Sequence, residues 1–164
     1  MDNRAIGVLD SGVGGLTALR ELRKLLPNEQ LVYFGDTGRV PYGRRSRETI
    51  RKYTMQDIQF VLRHDVKLVI AACGPLSSHI TNEMIQSIGV PFIGIVQPTA
   101  QAACAATTSK RIGVIATSTP VRSGAFGRAL RAIRPDVHLF GNASPPFVPL
   151  VENDFHQTDT PIHT

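Results

Sequence analysis

The sequence has no tryptophan and two cysteines, and aromatic residues make up 6% of its 164 positions. Cys73 and Cys104 cannot build a disulfide framework. They form no zinc-type spacing with each other or with His64, His79, His138, His156 and His163, so no metal site is expected. Scarce aromatics argue against a stacking platform for single-stranded nucleic acid. No apolar run is long enough to span a bilayer, and the first residues show no secretory pattern. Nucleotide fingerprints are missing as well. No Gly-Lys-Ser/Thr motif is present, and after Gly12, Gly14 and Gly15 the position due for a final glycine is Thr17. No repeat recurs at solenoid periods. These absences lead to the expectation of a soluble cytoplasmic protein with no membrane association.

Hydrophobic residues make up 42% and charged residues 19%, enough apolar material for a globular core. The length suits one domain, or one domain and part of another. The net charge of +5 admits an anionic small ligand or a nucleic acid. Basic residues are dispersed, apart from Arg44, Arg45, Arg47, Arg51 and Lys52. That dispersal, with the aromatic shortage, argues against nucleic acid.

Strand and helix patterns alternate along the chain. Short apolar runs at 5–9, 31–35, 68–72, 90–96 and 110–116 read as buried strands, and 135–140 as a weaker sixth. Helical spacing covers 16–26, 47–63, 76–88, 98–108 and 121–133. From Asn142 the pattern fails. The alternation predicts an α/β fold with mainly parallel sheets and flanking helices. The Ile-Gly-Val cores of the first and fifth strands mark the starts of two lobes. The expected division is a first lobe over 1–97, a partial second lobe over 98–152 and an irregular tail over 153–164.

Chemistry-bearing residues collect at the strand ends. Cys73 closes the third strand and precedes a helix, a place where open α/β sheets bind ligands. A helix N-terminus there would lower the thiol's pKa; alternatively, Cys73 is a small buried hydrophobe. Asp10 and Ser11 open the glycine-rich turn after the first strand. A carboxylate and a hydroxyl there suit an ammonium group beside a carboxylate, as in an amino acid, or they cap the following helix. Pro41-Tyr42-Gly43 is a turn that sets a phenol and backbone amides near the end of the second strand, or is a plain structural turn.

Taken together, Ile6–Thr17, Tyr33–Thr37, Val40–Gly43, Ala71–Cys73, Arg111–Thr117 and Phe147–Glu152 resemble the cofactor-independent aspartate/glutamate racemase family, glutamate racemase in particular. The resemblance implies interconversion of L- and D-glutamate, or a similar acidic amino acid, for peptidoglycan precursors. It implies no cofactor, and it leaves a homodimer open. In the family, two cysteines on opposite faces of the substrate exchange protons with Cα. By position Cys73 resembles the first. Asp10, Ser11, Tyr42, Gly43, Thr117 and Glu152 resemble substrate-side residues. The sequence departs from the family where Cys-Asn-Thr becomes Cys73-Gly74-Pro75, which removes two side-chain donors and one N–H. Nothing matches the Cys-Thr-His motif of the second cysteine, and Cys104 falls inside a predicted helix. The expectation is therefore a racemase shortened at its C-terminus, or an impaired relative that binds an acidic amino acid or a protein partner.

Overall fold

The structure, a computed structural model, describes residues 2–152. Its first sheet contains β1 (Ala5–Asp10), β2 (Leu31–Gly35), β3 (Val66–Ala71) and β4 (Phe92–Gly94). Their order is β2-β1-β3-β4 and every pairing is parallel. β1 lies between two neighbours and every one of its residues is buried. Its apolar sequence, unbroken by alternation, is what a strand covered on both faces requires.

The helix α1 (Leu16–Leu25) follows β1, and α2 (Arg47–Leu62) joins β2 to β3. Ser46 caps α2 by accepting the Thr49 N–H at 3.2 Å. Ile50, Thr54, Asp57, Ile58 and Val61 form its buried stripe. Ile58 and Val61 of that stripe pack into the first core with Leu9, Val69, Cys73 and Leu76.

The helix expected over 76–88 is two short ones, α3 (Gly74–His79) and α4 (Asn82–Gln86). The break occurs because Thr81 adopts extended backbone and its hydroxyl accepts the Met84 N–H, starting a new helix. The strand expected over 90–96 is confined to β4. α5 (Val96–Ala106) begins before Pro98, which its first turn tolerates.

The second sheet pairs β5 (Arg111–Ala116) in parallel with β6 (His138–Ala143). Between them lie α6 (Ser118–Ser123) and α7 (Ala125–Ile133). The loop expected at 117–120 is mostly α6. The expected 121–133 helix is interrupted at Gly124, whose φ of +66° suits glycine and ends α6. After two prolines the chain forms α8 (Phe147–Glu152), where no element was expected. The expected division between residues 97 and 98 falls within α5. Val96, Ala100 and Cys104 of that helix all pack in the second core with Ile112, Leu130 and Val137. The expected tail over 153–164 lies outside the described residues.

Helices cover the face of the second sheet that carries Ile112, Val114 and Leu139. On the other face Ile115 is 64% exposed and Phe140 52% exposed. Open edges and apolar surface of this kind favour association. Sedimentation velocity should therefore show self-association that grows with concentration, and Ile115→Lys should shift the chain toward monomer. A monodisperse monomer at every concentration would contradict this.

Candidate active site

Parallel pairing of β1 with β3 aligns Leu9 with Ala71, and the Ala72 N–H donates to the Leu9 carbonyl at 2.8 Å. The residues just past those pairs therefore meet. Cys73 Sγ donates to Ser11 Oγ at 3.3 Å. Asp10 is buried beside them, and its Oδ2 accepts the N–H groups of Gly12 at 3.1 Å and Gly15 at 3.0 Å. Asp10 thus holds the glycine turn. Among the described residues no donor reaches its other oxygen. Tyr33 closes the cluster by donating its hydroxyl to the Gly12 carbonyl.

Cys73 is 2% exposed and precedes the first turn of α3. The expected lowering of its pKa does not occur: burial, reinforced by the charge of Asp10, pushes the thiol up to about 11. The bond to Ser11 and nearby backbone N–H groups act the other way and are outweighed. Gly74 and Pro75 form the start of α3. Their carbonyls bond to Ser78 Oγ and His79 Nδ1 respectively.

Tyr42 differs from expectation. Its phenol does not line an open strand end but is 1% exposed, turned inward between two carboxylates. It bonds to Asp36 Oδ2 and, at 2.7 Å, to Asp57 Oδ2. One hydroxyl carries one proton, so it cannot donate to both at once. Arg39 bridges the same pair, reaching Asp36 at 2.6 Å and Asp57 at 2.7 Å while stacked over Tyr53. Burial raises Asp57 to about 6; the charge of Asp36 adds to the rise, and Tyr42 and Arg39 oppose it. Burial also raises the phenol of Tyr42, as do the two carboxylates.

This network anchors the turn that carries Gly43 across to the second lobe. The Gly43 carbonyl accepts from Thr119 Oγ1 at 2.7 Å. A Cβ at Gly43 would lie 2.8 Å from Thr117 Oγ1 and 2.9 Å from Thr117 Cβ, so glycine is required by close approach. Thr117 Oγ1 is buried and has no hydrogen-bond partner. A cavity of about 380 Å³ adjoins it, lined in part by Val40, Pro41, Gly43 and Ser118. At Gly74 a Cβ would sit 3.4 Å from Pro120, which links this cluster to the Cys73 loop. The structure thus gathers Cys73, Ser11 and Asp10 in one group and Gly43 with Thr117 in another, joined through Gly74. Glu152 ends α8, and its side chain lies outside the described residues. Cys104 packs in the second core with Sγ 3.9 Å from the Leu130 carbonyl.

Sequence reasoning missed Asp36, Asp57, Arg39 and Thr119. Asp57 carried a usable signal, a lone carboxylate on the buried stripe of α2. Asp36 had one too, a carboxylate directly after β2.

No family model matches the chain. Individual proteins do. It is 44% identical to a glutamate racemase of Oceanobacillus iheyensis over 150 residues, covering 92% of this chain and 55% of that protein. The structure of glutamate racemase isoform RacE1 from Bacillus anthracis superposes with a TM-score of 0.91 at 33% identity, covering 95% of this chain and 59% of the other. That of Francisella tularensis glutamate racemase in complex with D-glutamate gives 0.88 at 35% identity, covering 96% and 59%. The fold is the α/β architecture of these racemases. Within that class the chain is related by sequence and structure to the glutamate racemases, and it spans somewhat more than half the length of those relatives.

Two variants test the geometry. Gly43→Ala should cost about 1–3 kcal/mol in urea unfolding, because Thr117 must move; an unchanged midpoint would contradict the contact. Asp57→Asn tests the raised carboxyl. A carboxyl whose folded pKa is raised stabilises the fold below its ordinary pKa of 3.8 and loses that contribution as pH rises through about 6. The stability of the parent chain relative to Asp57→Asn should therefore fall between pH 4 and 7. The absence of any fall over that window would mean that Arg39 keeps Asp57 ionised in the fold.

Proposed function

We propose that this chain supplies one acid–base face of a cofactor-independent racemisation of glutamate or a similar acidic amino acid. The observation that carries this reading is the meeting of Cys73 with Ser11 beside Asp10, at the carboxyl ends of adjacent parallel strands. The Francisella relative was solved with D-glutamate bound, which fits the same substrate class.

In the proposed step the Cys73 thiolate takes the proton from Cα. The Cα–H bond breaks, an S–H bond forms, and the electron pair stays on the substrate as a carbanion. Protonation on the opposite face then gives the other enantiomer. A Cα proton is a very weak acid, so a strongly basic thiolate has the driving force to remove it. Burial makes Cys73 such a base and keeps it protonated until substrate arrives.

The substrate ammonium is assigned to Asp10, whose second oxygen has no donor among the described residues. Neutralising Asp10 in this way removes one cause of the raised thiol and favours the thiolate when a substrate is present; the thiol's S–H bond breaks and its proton passes to water before the thiolate meets Cα. Ser11, the Gly43 turn and the unpartnered hydroxyl of Thr117 are assigned to the substrate's polar groups, with backbone of Gly74 and Pro75 forming the wall below them. Glu152 is assigned a place near the site by resemblance alone. The family resemblance assigns the opposite face to a second thiol. Cys104 is not proposed for it, because it packs in the second core. The reading includes a cytoplasmic setting and supply of peptidoglycan precursors, and it leaves a homodimer open. Among the described residues no helix is long and apolar enough to cross a membrane.

The test is Cα exchange in deuterated water with L- and D-glutamate supplied separately, following deuterium uptake and optical inversion. Exchange of at least one enantiomer should occur and should disappear in Cys73→Ala. Exchange that survives Cys73→Ala, or none with either enantiomer in a folded chain, would contradict the proposal.

A further inference from the structure

We propose that a cleft lined by arginines, at the ends of α3 and α6 remote from Cys73 and Thr117, binds the phosphate groups of a small anion. The cleft has a volume of about 350 Å³ and is lined by Arg47, Arg51, His79, Thr81, Ser123 and Arg128, among others. A second hollow of about 230 Å³ shares Arg47, His79 and Ser123 and adds Arg45, Thr119 and Arg122. The two lie across the lobes, with α2 on one side and the α6–α7 junction on the other.

The charge here is unbalanced. Among the described residues, no carboxylate lies within ion-pair distance of Arg47, Arg51, Arg122 or Arg128. Many other cations are paired: Arg4 with Asp2, Lys24 with Glu21, Arg39 with Asp36 and Asp57, Lys67 with Glu29, and Lys110 with Asp136. Glu48 interacts electrostatically with Arg47 and Arg51, and Glu83 with Arg51, without an ion pair to either arginine. Five guanidiniums, those of Arg45, Arg47, Arg51, Arg122 and Arg128, surround the adjoining hollows and repel one another, and an anion between them relieves that repulsion.

Two of the guanidiniums are already oriented. Arg51 Nε donates to the His79 carbonyl at 3.1 Å, and Arg128 Nη1 donates to the Ser123 carbonyl at 2.9 Å. Each keeps further N–H donors for a ligand. Thr81 Oγ1 accepts from Met84 and its proton is directed to Glu83, so the arginines rather than this hydroxyl supply the donors. A planar fork of N–H donors matches the oxygens of a phosphate in bidentate fashion. The cleft suits a compact diphosphate. Free pyrophosphate and the diphosphate of a small organic ester present the same chemistry.

The experiment is calorimetric titration of the full chain, at constant ionic strength, with inorganic pyrophosphate, an alkyl diphosphate and citrate. Saturable one-to-one binding of pyrophosphate is expected, weakened about tenfold by Arg47→Gln and by Arg128→Gln, each removing one charged hydrogen-bonding partner. Arg23→Gln, an exposed arginine elsewhere, should change it less than about twofold. Tighter binding of the alkyl diphosphate would support the site and identify an organic ester as its ligand; weaker binding would support it with free pyrophosphate as ligand. Thermal melts of the variants should match the parent, since Arg47 and Arg128 are exposed. No saturable binding of pyrophosphate, citrate binding as tightly, or an equal loss in Arg23→Gln would overturn the proposal.

Discussion

The register between β1 and β3 is the constraint on which the candidate site depends. Leu9 pairs with Ala71, so the segments that leave the two strands emerge side by side. Asp10 and Ser11 then face Cys73 across a single hydrogen-bonded contact. A slip of one residue would turn the side chains of a strand to the opposite face and separate the thiol from the hydroxyl. The register is held because both strands are buried, with Leu9 and Val69 inside one core and α2 packed over them. The catalytic proposal therefore rests on core packing first and on loop chemistry second.

A second buried constraint holds the opposite wall. Tyr42, Asp36, Asp57 and Arg39 form a small polar core that consumes the phenol, and Gly43 continues from it into contact with Thr117 and Thr119. Two carboxylates around one phenol are tolerable in an apolar setting because Arg39 compensates their charge and the raised pKa of Asp57 lets a proton be shared among them. The network positions backbone rather than presenting a side chain. The Tyr42 side chain consequently has a supporting place in the account, while Gly43 touches the second lobe directly.

The strand positions along the chain and most helix positions were legible from periodicity, because buried parallel strands read as unbroken apolar runs and the helices show one apolar stripe. What periodicity could not show were the caps and breaks. Thr81 as a new helix start, Gly124 in the left-handed region and α8 after Pro145-Pro146 depend on local hydrogen bonds and backbone angles. At the site, the loops carrying Cys73, Asp10 and Gly43 were legible from their position after strands. The inward turn of Tyr42 was not, since it depends on Asp57, fifteen residues further along on another element. The thiol's high pKa was also hidden. A helix start argues for a low value, and only the 2% exposure of Cys73 shows that burial wins.

The central claim is that burial keeps Cys73 protonated and that an amino acid bound at Asp10 releases its proton. The direct measurement is a pH titration of the Cys73 side chain by carbon-13 NMR of labelled cysteine, assigned with Cys73→Ala, with and without L-glutamate. The account predicts a midpoint near 11 in the free chain and a clear downward shift when glutamate is present. A free-chain midpoint below the ordinary thiol value of about 8.5, or one that glutamate leaves unmoved, would contradict it.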